Sequence, residues 1–298
     1  MENISNKCEV CPHKCKSNRI LSESSRCKAT NYIKIALASI HNYEEPCISG
    51  TKGSGTIFFS NCNLNCIYCQ NYEISQKGFG KVVTIEHLAD IFLSQQNKGA
   101  HNINLVTPTI YTMQIIEAIK IAKNKGLTIP IIYNTSGYDS LESLKLLEGY
   151  IDVYLPDFKY SSNELGLKYS KINNYLEIVK LALIEMYRQV GNPIFDDEGI
   201  IIKGMIIRNM ILPNNVKNTK NVLDTIKELF GTDIYISIMA QYFPTHLAMQ
   251  TEDLNRKISK KELKSVQDYM FKLGFENGYI QELGCHEEEY VPIFDLSE

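Results

Sequence analysis

Seven of the nine cysteines in this 298-residue chain fall in two tight groups. One group lies in Asn61-Cys62-Asn63-Leu64-Asn65-Cys66-Ile67-Tyr68-Cys69-Gln70-Asn71, where three thiols are spaced Cys-x3-Cys-x2-Cys. Three thiolates at these spacings wrap one face of a cuboidal [4Fe–4S] cluster. Three ligands on four irons leave one iron open, and an open metal position is where a substrate or cofactor coordinates. A structural zinc needs a fourth ligand to close its tetrahedron, and no fourth cysteine lies nearby. A non-catalytic iron–sulfur or zinc scaffold is the rival reading from a different class, and the open-iron spacing argues against it.

The second group is Cys8-x2-Cys11-x3-Cys15-x11-Cys27. Four thiolates complete a structural zinc site or saturate a second iron–sulfur cluster, and the spacing does not choose between them. The same stretch could instead serve as a docking lobe for a partner. Cys47 and Cys285 stand apart and read as small buried hydrophobes; a hydrogen donor that quenches radicals is the less favoured reading of Cys285. The odd count argues against a disulfide framework.

The elements that must position these residues follow from periodicity. Strand-like apolar runs occupy Thr56–Ser60, Asn102–Val106, Ile129–Tyr133, Ile151–Leu155, Lys203–Met210 and Ile234–Met239. Helical patterns follow them at Thr84–Asn97, Tyr111–Lys125, Ser140–Leu147, Tyr169–Tyr187, Val216–Phe230 and Ser259–Leu273. Strands separated by crossover helices form a parallel sheet. The expected fold class is α/β: a partial (β/α)6 barrel over residues 51–298, ending in a helix and tail, with a Cys-rich N-terminal lobe over residues 1–50. A flat doubly wound sheet would give a similar string. The first cysteine motif follows the first of these strands.

Composition narrows the class. Apolar residues are 44% and charged residues 22% of the chain, with a net charge of -3. That balance, without a Lys/Arg block, argues against nucleic acid as a partner. No apolar run reaches the roughly 18 residues of a membrane span, and the first residues lack the apolar stretch of a signal peptide. A cytoplasmic location with no membrane partner is expected.

The spacing of Cys62, Cys66 and Cys69, with Tyr68 before the last and a strand before the first, resembles the radical S-adenosylmethionine (SAM) superfamily. Four further segments look like the branch similar to pyruvate formate-lyase activating enzyme. They are Ser49–Phe59, Val106–Thr109, Tyr154–Lys159 and Ile207–Pro213. The resemblance runs over roughly residues 8–298. It implies that the open iron chelates SAM and that one electron splits SAM into methionine and a 5′-deoxyadenosyl radical. That radical then takes a hydrogen atom from a substrate. A glycine in a protein partner is the leading candidate, as in an activase; a peptide, a tRNA or a small metabolite is the alternative. An electron donor such as flavodoxin or ferredoxin is implied as well.

Residue by residue, the resemblance places Tyr68 against the adenine. Thr107 lies in the segment that binds the SAM amino group in relatives, although Thr107-Pro108-Thr109 lacks their glycines and glutamate. Asn134 and Thr135 are expected to reach the ribose hydroxyls. Asp157 is expected beside a monovalent cation and Lys159 close to SAM, with Asn134 replacing an aspartate of that cation site. Arg208 is expected at the SAM carboxylate, and His246 facing SAM.

Overall fold

A computed structural model describes residues 7–20, 25–284 and 292–298; Cys285 lies outside them. In chain order the elements begin with β1 (Ile33–His41), α1 (Pro46–Ser49), β2 (Ser54–Phe59), α2 (Tyr72–Ser75), β3 (Lys81–Val83) and α3 (Ile85–Asn97). Then come β4 (Ile103–Val106), α4 (Thr112–Asn124), β5 (Ile131–Thr135), α5 (Leu141–Leu147), β6 (Val153–Pro156), α6 (Asn163–Ser170) and α7 (Tyr175–Val190). The chain closes with β7 (Ile194–Phe195), β8 (Ile201–Met210), α8 (Val216–Phe230), β9 (Tyr235–Met239), α9 (Lys260–Leu273) and β10 (Gly278–Ile280).

The sheet order is β10-β9-β8-β6-β5-β4-β2-β1-β3. Every neighbouring pair from β2 to β10 is parallel, whereas β1 is antiparallel to both β2 and β3. The six expected strands are therefore consecutive in one parallel sheet, and β10 and β3 are its outer strands.

Alternation along the strands sorts side chains to two faces. Ile131, Tyr133, Tyr154 and Ile207 pack with the helices in the main core. Ile132, Val153, Leu155 and Ile206 face the other way and pack with Cys47 and Ile48 of α1. That short helix covers this second apolar face of the sheet. Pro46 suits its first turn, where no N–H partner is needed.

Two expectations change. The long helix drawn over Tyr169–Tyr187 is two helices: Lys171 adopts the left-handed conformation (φ 61°) after Ser170, and a new helix starts at Tyr175. Periodicity ran through the break because Tyr169, Ile172 and Tyr175 are all buried. The second concerns the stretch assigned to an N-terminal lobe over residues 1–50. Its strand β1 pairs with β2 from Ile35↔Phe59 to His41↔Ser54, so Ile33–His41 are part of the sheet.

Candidate radical site

β2 ends at Phe59, and Asn61 turns the chain with φ 68° into the cysteine loop. The loop has little secondary structure of its own, so its backbone groups are satisfied from neighbouring elements. Ile67 N–H donates to Tyr169 O (2.9 Å) and Asn65 N–H to Ser170 O (3.3 Å) at the end of α6. Ala248 N–H donates to Ile67 O (2.9 Å). Asn63 Nδ2 donates to Tyr138 O (2.7 Å), and Gln76 Nε2 to Cys66 O (2.8 Å).

This scaffold turns Cys62, Cys66 and Cys69 into one cavity of about 520 Å3, within the usual range for small-molecule sites. Each sulfur has a polar neighbour. Leu64 N–H donates to Cys62 Sγ (3.3 Å), Cys66 Sγ lies 2.9 Å from Ser170 Oγ, and Cys69 Sγ lies 3.2 Å from Ser75 Oγ. Burial pushes all three thiols up, Cys69 to about 11, while the Lys159 ammonium pulls each of them down. Among the described residues, no three His, Cys, Asp or Glu side chains converge on a point suited to one metal ion. The three thiols instead face a shared space. Soft sulfur donors, hydrogen-bond donors to sulfur and a nearby cation are the surroundings an iron–sulfur cluster uses, and the residues present fit that group.

The strand ends supply the opposite wall. Thr107, Asn134, Thr135, Asp157, Lys159 and Arg208 all line the cavity. Arg208 is central: its Nε donates to Asp157 Oδ1 (2.9 Å), Nη1 to Glu44 Oε2 (3.2 Å) and Nη2 to Asn134 Oδ1 (2.6 Å). Lys159 Nζ pairs with Asp157 Oδ2 (2.5 Å). Burial raises the Asp157 carboxyl, but Lys159 and Arg208 outweigh it and hold it below its ordinary value. Gly137, at φ 75°, lets the loop after β5 approach this acid; a Cβ there would stand 2.6 Å from Asp157 O. Thr107 is β-branched yet has φ 61°, a strained conformation of the kind that collects at functional sites.

Tyr68 also lines the cavity, with its hydroxyl 2.7 Å from that of Tyr160. Of the expected residues, Thr135 lines the cavity while bonded to a neighbour, and His246 is placed elsewhere. Thr135 gives its hydroxyl to Asp139 Oδ2 (2.5 Å), a buried acid that also accepts from Thr109 (2.7 Å) and Tyr133 (3.2 Å). His246 does not line the cavity; it stacks on Tyr72 with ring centroids 4.7 Å apart. The loop after β9 instead sends Gln241 and Phe243 inward.

Four contributors had no motif to announce them. Glu44 and Glu45 line the cavity from the turn that leads into α1. Nothing local ties the Glu44-Glu45-Pro46 run to the cysteines. Ser170 and Ser75 reach sulfur across sequence gaps of 104 and 6 residues.

Cys8 and Cys11 are buried, Cys27 half-buried and Cys15 exposed. The thiols sense one another electrostatically, and burial pushes Cys11 up to about 12. Their segment is tied to the cysteine loop and its neighbours. His13 Nε2 lies 2.9 Å from Asn63 O, Ser140 and Ser143 both donate to Val10 O, and Arg19 donates to Ile110 O.

Residues 56–196 match the model of the radical SAM superfamily. Cys62, Cys66 and Cys69 all lie within this matched stretch, which carries a radical SAM domain. An uncharacterised protein of Methanocaldococcus jannaschii is 29% identical over 287 residues, covering 92% of this chain and 77% of that one. Streptococcus suis SuiB, solved bound to its precursor peptide SuiA, is similar with a TM-score of 0.50 at 11% identity, over 76% of this chain and 47% of SuiB. The FeFe-hydrogenase maturase HydG from Carboxydothermus hydrogenoformans gives a TM-score of 0.51 at 16% identity, over 78% and 59%. The chain thus spans about half the length of these two structures, and the likeness to them is one of fold. A radical SAM domain implies a [4Fe–4S] cluster and SAM as cofactors. Among the described residues no helix is long and apolar enough to cross a membrane.

Proposed function

We propose that this radical SAM enzyme takes a hydrogen atom from a glycine of a protein partner, in the manner of an activase. The observation that carries the chemistry is the shared cavity, with Cys62, Cys66 and Cys69 on one wall and Asn134, Asp157, Lys159 and Arg208 on the other. Cys62, Cys66 and Cys69 would hold the cluster, which would supply the electron for reductive cleavage of SAM.

The chain's own residues do the rest. Ser170, Ser75 and the Leu64 N–H stabilise negative charge on sulfur, which favours the reduced state. Arg208 has five N–H donors, and three are committed to Asp157, Glu44 and Asn134. The fork is therefore held rigid with donors left for a SAM carboxylate. Asp157 fixes Lys159 near Cys66. Tyr68 offers a ring for the adenine, Asn134 a polar contact for the ribose, and Thr107 backbone or hydroxyl contacts for the amino group. Thr135 positions rather than binds, through Asp139. Phe58, Phe59, Ile74, Val106 and Met210 keep the chamber apolar between these groups and exclude water.

Two partners complete the reading. Cys8, Cys11, Cys15 and Cys27 hold a second metal centre, zinc or iron–sulfur, and a flavodoxin or ferredoxin supplies electrons. The activase role is supported by the resemblance of Ser49–Phe59, Val106–Thr109, Tyr154–Lys159 and Ile207–Pro213 to the branch similar to pyruvate formate-lyase activating enzyme. Modification of a peptide is the second reading, favoured by the fold shared with peptide-bound SuiB.

The experiment is isotopic. Reduced enzyme and SAM are incubated with an extract of source cells grown on α-deuterated glycine, and 5′-deoxyadenosine is examined by mass spectrometry. Deuterium in the product supports a glycine donor. Unlabelled 5′-deoxyadenosine formed in stoichiometric excess over controls without extract overturns it, while leaving the SAM chemistry intact.

A further inference from the structure

The cavity floor has one carboxylate too many. Three acids, Glu44, Glu45 and Asp157, face the cations Arg208 and Lys159 in this layer. Asp157 is paired with both cations. Glu44 accepts from Arg208 and from Asn104 Nδ2 (2.9 Å). Glu45 is 8% exposed, lines the same cavity, and its Oε2 has no hydrogen-bond partner among the described residues. Burial drives its carboxyl upward, against the pull of Arg208 and with the push of Glu44. A buried carboxylate with an orphan oxygen is costly, and a chain that keeps one at the bottom of a ligand chamber has a use for it.

The wall above Glu45 indicates what that use is. Glu45 feels the charge of Arg208 and accepts a side-chain hydrogen bond from Ser237, which leaves Oε2 the unpartnered oxygen, and Arg208 and Ser237 are register partners on β8 and β9. Two positions further along the same strands, Met210 and Met239 are again register partners and line the cavity. Residues two apart share a face and lie about 7 Å from each other along a strand. A flexible thioether pair therefore stands directly above the acid, and methionine adapts well to an alkyl chain.

We propose that Glu45 anchors a primary ammonium group of the substrate, with the attached alkyl chain rising along Met210 and Met239 toward the cysteines. The substrate would then be an alkylamine, or a protein or peptide that presents a lysine-type side chain. The missing positive charge of the floor arrives with the substrate. This inference rests on the chamber being the radical enzyme's substrate site and adds the chemistry that the site recognises.

The probe is n-butylammonium, with n-butanol as its neutral counterpart, titrated calorimetrically into the iron-reconstituted, SAM-loaded enzyme. Butylammonium is expected to bind at least tenfold more tightly than butanol, and Glu45→Gln is expected to erase that preference. Met239→Lys tethers an ammonium above Glu45 and is expected to weaken butylammonium at least tenfold while Glu45 is intact, which keeps the test decisive should the Gln variant fold poorly. Equal binding of butylammonium and butanol by the wild type, or wild-type affinity for butylammonium in Met239→Lys, overturns the proposal; the orphan oxygen then belongs to a buried water. Formation of 5′-deoxyadenosine, scored on the same preparation, separates failure of the anchor from failure of the enzyme reading.

Discussion

The two cysteine groups use the same side chain for different ends. Cys62, Cys66 and Cys69 open onto a chamber with polar strand ends opposite. Cys8 and Cys11 are buried in a segment that packs against the outside of the cysteine loop, through His13 on Asn63 and Ser140 and Ser143 on Val10. Three thiols with empty space beside them make a reactive centre, because an unfilled coordination position is useful only where a ligand can reach it. In the other group only Cys8 and Cys11 are buried, with Cys27 half-buried and Cys15 exposed, so a metal bound there would be structural rather than a place for substrate.

That contrast can be broken by metal counts. Cys66→Ala is expected to remove about four irons per chain and to reduce SAM cleavage to background, with the metal of the N-terminal group retained. Cys11→Ser is expected to do the converse: the second metal is lost, the iron bound through Cys62, Cys66 and Cys69 stays, and SAM cleavage persists. Plasma emission spectrometry with product analysis reads both. Loss of all metal in either variant would show that the two groups form one centre.

Smaller effects sharpen it. Arg208→Met leaves Asp157 and Glu44 without their shared fork and strands buried charge. The expected cost is about 3–5 kcal/mol in urea unfolding, as for other broken buried ion pairs. Asn63→Ala removes the amide that ties the cysteine loop to Tyr138 O, at about 1–3 kcal/mol, because a buried carbonyl then loses its donor. Ser170→Ala deletes the hydroxyl beside Cys66. Losing a donor to sulfur disfavours the reduced cluster, so its potential should fall by on the order of 50 mV in a spectroelectrochemical titration, if the bond contributes about 1 kcal/mol.

Much of this arrangement was legible in the chain. The strands that carry Asn134, Asp157 and Arg208 are short apolar runs, and the crossover helices between them made the sheet parallel, whereas their order was fixed only by the structure. The helix starts at Thr84, Ser140 and Ser259 were marked by residues that do cap them. What escaped depends on contacts far apart in sequence. Glu44 meets Arg208 across 164 residues, and Ser170 meets Cys66 because Lys171 breaks a helix that periodicity had joined. His246 was assigned to the cavity from its place after β9, but an adjacent aromatic ring, Tyr72, holds it elsewhere. Local pattern finds the strand ends; packing decides which loop residues turn inward.

The central claim is that the open side of the Cys62, Cys66 and Cys69 centre binds and cleaves SAM. Its most direct test is anaerobic reconstitution with iron and sulfide, reduction with dithionite in the presence of SAM, and quantification of 5′-deoxyadenosine. The wild type is expected to form 5′-deoxyadenosine and methionine in equal amounts, and Cys66→Ala to form neither. A fully iron-loaded wild type that yields no 5′-deoxyadenosine, or a Cys66→Ala variant that yields as much, would contradict the account.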